Sequence, residues 1–239
     1  MNKKEYLLNE VNKIGIELSD VQVEQFLKYY ELLVEWNSFM NLTGITEYEE
    51  VVIKHFVDSL SLVKTVDLKQ KLSLIDIGTG AGFPGVPLKI AFPNIKVTLL
   101  DSLNKRIKFL DEVISQLGLK DIDTIHGRAE DFAKPDKLRE KYDLCVSRAV
   151  ANLSTLSEYC LPFVKLEGSF ISYKSEKLSE ELESAKKAIF VLGGKIEKQI
   201  EFTLNNENIY RNLVVIKKVQ KTPKQYPRKS GTASKNPIN

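Results

Sequence analysis

The stretch that decides the fold covers residues 72–85 and reads LSLIDIGTGAGFPG. It begins with an apolar run that ends in an acid, a pattern typical of a buried strand. Three glycines follow at alternate positions and a fourth comes three residues later, so the backbone can turn sharply or approach a ligand. Pro84 suits the first turn of a helix. A strand, a glycine turn and a helix start predict the entry to a nucleotide-binding α/β domain.

Two cofactor classes compete for this loop. Residues 80–85 fit the dinucleotide fingerprint GxGxxG, whereas residues 76–82 fit DxGxGxG, which resembles the first motif of S-adenosylmethionine (SAM) methyltransferases. In the second register Gly78 directly follows the last apolar residue of the strand, and Asp76 can face the cofactor. We take the second register. The candidate cofactor-binding residues in the loop are Asp76, Gly78, Gly80, Gly82 and Phe83.

Length and composition predict one domain with a smaller appendage. The chain has 239 residues, of which 43% are hydrophobic and 28% charged. The first six residues lack the apolar core of a signal peptide, and no apolar run approaches the ~20 residues that span a bilayer. The two cysteines and two histidines have no metal-ligand spacing. We therefore expect a cytoplasmic monomer that binds neither a metal nor a membrane.

Positive charge is concentrated at the end of the chain. Eight of the 35 lysines and arginines follow Glu207, and no acid does, which leaves 27 basic against 32 acidic residues before that point. A basic C-terminal segment favours contact with a polyanion. We expect residues 221–239 to form a loosely ordered basic tail. Its candidate RNA-binding residues are Arg228, Lys229 and Lys235.

The first 70 residues are predicted to form a small helical N-terminal extension. Amphipathic spacing indicates helices over 3–17 and 19–38, the second opened by a capping box of Ser19 with Gln22. Thr46 with Glu49 is expected to cap a third helix that continues to about residue 66. His55 and Asp58 near its middle could touch a substrate, but a surface or core role is favoured.

Strands and helices alternate over residues 71–220. This pattern predicts an α/β fold with a mostly parallel, seven-stranded sheet of the Rossmann-like SAM-dependent methyltransferase type, its last strand antiparallel. The polar residues 205–208 are expected to join the last two strands. The predicted strands after the first are 95–101, 122–125, 142–146, 168–174, 195–204 and 210–219, and the predicted helices between them are 104–118, 152–161 and 176–192.

The residues at strand ends matter most, because ligands of open parallel sheets bind beyond the carboxyl ends of the strands. Asp101 ends the second strand, where a carboxylate can accept ribose hydroxyls, although it could also cap the next helix. Ala129 and Glu130 follow the third strand, where methyltransferases hold adenine. Arg148 follows the fourth and could pair with the methionine carboxylate or an RNA phosphate, or form a surface ion pair.

Absent motifs narrow the reaction. The amino-methylase motif Asn/Asp-Pro-Pro-Tyr/Phe does not follow the fourth strand, where residues 147–150 read SRAV, and neither Cys145 nor Cys160 follows a proline as a cytosine-C5 nucleophile does. Guanine N7 carries a free in-plane lone pair and no proton, so its methylation requires in-line approach to the methyl group and no general base. The absence of an evident base is consistent with N7 chemistry.

Further motifs resemble one family closely. They are the segments 36–43, 55–60, 76–85, 127–130 (GRAE), 147–149 (SRA) and the tail motifs YPRK and KNP at 226–229 and 235–237. The chain is similar over nearly its whole length to the RsmG, or glucose-inhibited division protein B, family. That resemblance implies SAM-dependent methylation of N7 of one guanine in the decoding-region loop of 16S rRNA, on the rRNA or the small ribosomal subunit. Its cofactor contacts would fall on Gly78, Phe83, Ala129, Glu130 and Arg148.

Two other classes stay open on the sequence. A nicotinamide-dependent oxidoreductase could use the 80–85 register, but no substrate domain with a recognisable catalytic His or Tyr-Lys pair accompanies it. A catalytically silent RNA-binding protein could keep the same fold. Position 81 is often proline in relatives and is alanine here; little consequence is expected, because the glycines set the backbone path.

Overall fold

A seven-stranded sheet forms the centre of the computed structural model, which describes residues 2–148, 151–175, 178–204 and 209–238. The strands lie in the order β3-β2-β1-β4-β5-β7-β6. Their bounds are Ser73–Ile77 (β1), Lys96–Asp101 (β2), Ile122–His126 (β3), Tyr142–Ser147 (β4), Val164–Lys174 (β5), Gly194–Leu204 (β6) and Ile209–Lys218 (β7).

Strand direction confirms the predicted architecture. β1 to β5 pair in parallel, and β7 inserts antiparallel between β5 and β6. The chain winds outward from β1 to β3 and then returns to place β4 on the other side of β1. The carboxyl ends of β1 and β4 therefore flank a topological switch point, where open α/β sheets bind ligands. The turn predicted at residues 205–208 lies outside the described residues.

Helices cover both faces of the sheet and create two apolar clusters. The N-terminal helices share one cluster with one sheet face, and the helices after β4 and β5 cover the other face. Buried runs in β1 and β4 face both clusters, as strands covered on both sides must. The helices are Lys3–Asn12, Asp20–Met40, Tyr48–Val51 with its continuation, Gly85–Ala91, Asn104–Leu117, Ala129–Phe132, Leu153–Cys160, Ser179–Val191 and Thr232–Lys235.

The N-terminal helices follow the predicted caps in one case and not in another. The box of Ser19 with Gln22 is present, and the helix it opens ends at a left-handed Asn41. The predicted Thr46 cap is wrong: Glu47 precedes the third helix and makes no side-chain capping bond. Instead, the Thr46 carbonyl accepts a hydrogen bond from the Tyr30 hydroxyl at 3.0 Å. The tertiary contact with Tyr30 therefore outweighs the local sequence preference for a helix cap at Thr46.

The third helix is not a regular α-helix. After Tyr48–Val51 it widens into a π-helical segment at Val52–Val57, returns to α-helix at Asp58–Leu60 and closes with a 3₁₀ turn at Ser61–Lys64. Single π-helical segments inside helices occur frequently at functional sites. This one carries His55 and is followed directly by Asp58.

The C-terminal segment is docked on the domain, so the expectation of a loosely ordered tail is wrong. Arg139 donates hydrogen bonds to the carbonyls of Thr222, Pro223 and Tyr226, and Arg228 pairs with the buried Glu158. Residues near the end of the chain also contact the helix Leu153–Cys160. Composition indicated a solvated tail, but buried partners earlier in the chain hold it in place.

Candidate functional site

The glycine loop is shaped by two buried carboxylates. Oδ2 of Asp76 accepts hydrogen bonds from the Thr79 hydroxyl at 2.7 Å and the Gly85 N–H at 2.9 Å, and Oδ2 of Asp101 accepts the Gly80 N–H at 2.9 Å. Asp76 is fully buried, and burial raises its pKa to about 6. Gly82 has φ +99°, and a Cβ there would lie within 3 Å of three neighbouring side chains. The carboxylate of Asp76 thus fixes the conformation of the glycine loop through these two hydrogen bonds.

A cleft lies at the carboxyl ends of β1 to β4, at the predicted switch point. Four predicted cofactor residues line it together: Gly78, Asp101, Ala129 and Glu130. The remaining candidates lie around it. Gly80 and Gly82 build the loop, Asp76 lies behind the loop, and Phe83 and Arg148 lie towards a neighbouring cavity. Ala149, part of the SRA motif, lies outside the described residues.

Asp101 has most of its acceptor capacity in use. Its carboxylate accepts the Gly80 N–H, the Leu103 N–H at 2.9 Å and an Arg106 N–H at 3.2 Å, and the residue is 2% exposed. A carboxylate has about four acceptor positions, so about one stays free for a ligand hydroxyl. The side chain therefore holds Leu103, the residue that precedes the next helix, fixes the glycine loop and lines the cleft at the same time.

The charges around the cleft are acidic on balance. Asp101 and Glu130 outnumber Arg128 among its lining residues. SAM carries a sulfonium and an ammonium against one carboxylate, so an acidic wall beside the backbone of Gly78 and Ala129 suits it. These residues fit the cofactor that the sequence motif predicts.

The C-terminal segment is hydrogen-bonded to Glu130, a residue of the cleft wall, and to its neighbour Asp131. Oε1 of Glu130 accepts the Gly231 N–H at 2.9 Å, and Asp131 accepts the Ser230 hydroxyl at 3.2 Å. Glu130 is 6% exposed. The predicted adenine-site residue is therefore oriented by a segment that follows the sheet by more than ten residues.

A second, larger cavity of about 580 Å³ adjoins the first. Ser147 at the end of β4 lines the first cavity, and the next residue, Arg148, lines the second. Arg148 donates hydrogen bonds to the Lys54 carbonyl and to Oδ2 of Asp58, both at 3.0 Å. Its guanidinium also lies over the Phe83 ring, 4.9 Å from the centroid. The N-terminal helical segment thus supplies four of the twelve residues that line this cavity.

His55 is a neutral part of the same wall. Its ring stacks on Phe83 with centroids 4.5 Å apart, Nδ1 lies 3.2 Å from Arg148 and Nε2 lies 2.8 Å from the Thr43 hydroxyl. Nδ1 also lies 3.1 Å from the Lys54 carbonyl, and because a carbonyl only accepts and arginine only donates, these two Nδ1 contacts require opposite tautomers. Burial, reinforced by the charge of Arg148, lowers the pKa of His55 to about 3. His55 adds no charge to the site at neutral pH.

The predicted RNA-binding cations differ in their surroundings. Arg228 forms two-pronged contacts to Glu158, at 3.0 Å from Nε to Oε1 and 2.6 Å from the terminal nitrogen to Oε2. Lys229 and Lys235 are exposed. All three lie in the C-terminal segment, whose Gly231 N–H binds Glu130 of the first cleft. The structure therefore gives Arg228 a structural task and leaves the two lysines accessible.

Sequence reasoning missed Arg211, one of the cations that line the second cavity. Arg211 near the start of β7 donates from Nε to Oδ1 of Asp58 at 2.9 Å. Because β7 is antiparallel, its first residues lie at the same sheet edge as the last residues of β5, with Asn212 opposite Lys174. The predicted antiparallel strand was a signal that could have found it, because an arginine near the start of such a strand lies beside the carboxyl ends of the parallel strands, where ligands bind.

Within the described residues, no group of three or more metal-ligating side chains occurs, and no helix is long and apolar enough to cross a membrane. Both cysteines are fully buried and unpaired.

Comparison with known structures places the fold in a class. A methyltransferase from Pyrococcus furiosus matches with a TM-score of 0.55 at 15% identity, over 82% of this chain and 98% of that one. A SAM dependent methyltransferase from Aquifex aeolicus matches with a TM-score of 0.51 at 20% identity, over 68% of this chain and 90% of that one. With the cleft at the switch point, this likeness defines a Rossmann-like protein of the methyltransferase fold.

The sequence comparisons are more specific. A model of the GidB family, described as rRNA small subunit methyltransferase G, matches residues 22–218. The ribosomal RNA small subunit methyltransferase G of Lachnoclostridium phytofermentans is 54% identical over 100% of this chain and 98% of its own length. That of Alkaliphilus metalliredigens is 52% identical over the full length of both. The chain belongs to the GidB family of rRNA small subunit methyltransferases.

Proposed function

We propose that this protein transfers the methyl group of SAM to N7 of a guanine in the decoding-region loop of 16S rRNA. The observation that carries the proposal is that an acidic and a basic cavity lie side by side at the end of β4, where Ser147 lines the first and Arg148 lines the second. Family membership gives rRNA as the substrate class, and relatives carry that substrate in their names.

The acidic cleft holds the donor. The backbone of Gly78 and Ala129 approaches the cofactor, Asp101 offers its free acceptor position to the ribose, and Glu130 lies on the adenine side. When SAM is bound, the N7 lone pair forms the new N–C bond as the C–S bond breaks, its electrons pass to sulfur, and no proton leaves the base. The protein then needs to orient the guanine and exclude water, and neither task requires a general base.

The environment beside the donor matches this chemistry. N7 methylation leaves positive charge on the guanine ring, and a protonated imidazole next to it would oppose that charge. Burial keeps His55 neutral, and the carboxylate of Asp58 counterbalances Arg148. Lys229 and Lys235 are proposed to contact RNA phosphates beyond the cleft, on the segment that also holds Glu130.

Two measurements test the proposal in order. A calorimetric titration should show binding of SAM and none of NADH, since the 80–85 register of a nicotinamide enzyme is not the one that lines the cleft. Incubation with labelled SAM and naked 16S rRNA, an assembly intermediate or the mature small subunit should then transfer label to one of these substrates. Binding of SAM without transfer to any of them would leave a silent RNA-binding protein as the better description.

A further inference from the structure

The second cavity carries positive charge on balance. Its ionised lining residues are four cations (Lys54, Arg148, Lys174 and Arg211) and two carboxylates, Asp58 and Glu181. His55 adds no charge, for the reason given above. A recess of about 580 Å³ with an excess of two positive charges suits a small anionic group on a larger ligand. The neighbouring donor cleft has the opposite sign.

Arg211 is held in this cavity by a buried carboxylate. Asp58 is 2% exposed and divides its two oxygens between two arginines: Oδ1 accepts from Arg211 and Oδ2 from Arg148. Arg211 also donates from one terminal nitrogen to the Tyr210 carbonyl at 2.9 Å. A guanidinium has five N–H donors, so these two bonds leave others for a ligand. Because these two bonds fix its side chain, Arg211 is preorganised to bind an anion.

The two arginines of the pair have different surroundings. Arg148 contacts the Lys54 carbonyl, His55, Asp58 and the Phe83 ring, and it directly follows Ser147, which lines the donor cleft. Arg211, on β7, binds the other oxygen of Asp58, and neither it nor its chain neighbours line the donor cleft. A nucleotide that presents its base to the donor beside Arg148 has its phosphate on the far side of the ribose. Arg211 lies on that side.

We propose that the second cavity holds the target nucleotide and that Arg211 binds its backbone phosphate, so that base and phosphate are fixed at opposite ends. The inference rests on the proposed function for the identity of the RNA. It adds a substrate contact to the site: a charge-assisted bond from a planar guanidinium to phosphate, which gives orientation as well as affinity.

The test compares Arg211→Gln with the matched control Lys217→Gln. Both remove one positive charge from β7, but Lys217 lies near the opposite end of the strand and pairs with the exposed Glu167. The measurements are RNA affinity as a function of salt, kcat/KM for RNA, and the dissociation constant of SAM. Arg211→Lys accompanies them, because it keeps the charge and a donor for Asp58 if the glutamine variant does not fold.

For Arg211→Gln we expect kcat/KM for RNA to fall about 10- to 100-fold, which is the effect expected from the loss of one charge-assisted hydrogen bond. The slope of log K against log salt should become shallower by about 0.7 to 0.9, the contribution of one phosphate. SAM affinity should stay within twofold, and Arg211→Lys should lie between Arg211→Gln and wild type.

Lys217→Gln should match wild type in all three measurements. A shallower slope in both glutamine variants, an unchanged slope in a folded Arg211→Gln protein, or a wild-type kcat/KM for RNA in Arg211→Lys overturns the phosphate assignment. An inactive wild-type enzyme would instead defeat the proposed function, while the salt slope of binding still tests Arg211.

Discussion

Removal of the Arg228 side chain should destabilise the protein through a buried acid on another element. Glu158 is 1% exposed, and Arg228 supplies it with three side-chain hydrogen bonds and a backbone N–H at 2.8 Å. Loss of one partner from a buried ion pair costs about 3–5 kcal/mol, because the remaining charge is left in a poorly solvated place. The backbone N–H survives in Arg228→Ala, so we expect a value near 3 kcal/mol.

Thermal unfolding followed by circular dichroism measures this effect. A protein of this size loses about 2–4 °C in Tm for each kcal/mol, so Arg228→Ala should melt about 6–12 °C below wild type. Lys229→Ala is the control: it removes the same charge from the neighbouring, exposed position and should change stability by less than about 0.5 kcal/mol. Equal Tm values for the two variants would show that the C-terminal segment does not depend on the Glu158 contact.

Three further outcomes follow from the site. Burial raises the pKa of Asp76 to about 6 in the folded protein, whereas an aspartate in the unfolded chain titrates at about 4. Between these pH values the folded protein holds one more proton than the unfolded chain, so the free energy of unfolding of wild type should fall by on the order of 3 kcal/mol relative to that of Asp76→Asn as pH rises. Parallel stability curves for the two proteins would contradict this. The ring protons of His55 should show no NMR titration between pH 8 and 4.5, because its pKa is about 3; a midpoint near 6 would place a charge in the site. Asp101→Ala should weaken SAM binding about 10- to 100-fold in calorimetry while the protein stays folded, and an unchanged dissociation constant would remove Asp101 from the cofactor site.

Strong local patterns predicted the sheet and the cleft. The apolar run before Asp76, the glycine spacing and the acid at the end of β2 depend on residues close in sequence, and the structure brings Gly78, Asp101, Ala129 and Glu130 together. Strand bounds moved by one or two residues except in β5, which begins at Val164 rather than at residue 168. Short-range periodicity and turn chemistry determine these features.

The features that sequence reasoning missed depend on contacts between residues that lie far apart in the chain. Thr46 does not cap a helix, and its carbonyl accepts a hydrogen bond from Tyr30. The C-terminal segment is hydrogen-bonded to Glu158 and Glu130. Asp58 binds two arginines that lie 90 and 153 residues away in the sequence. The partners in these pairs are far apart along the chain, so no local sequence pattern indicated that they would meet. Their burial appears only once the N-terminal helices and β7 lie at the same edge of the sheet.

The most direct test of the central claim is to map the modified atom. Small-subunit rRNA that lacks this methyl group is incubated with the protein and SAM, and the product is treated with borohydride and aniline, which cleave RNA at N7-methylguanosine. Primer extension then locates the break. The account predicts one SAM-dependent cleavage site, at a guanine of the decoding-region loop. Methyl transfer that leaves the rRNA uncleaved, with the label on an amino group or a ring carbon, would contradict it.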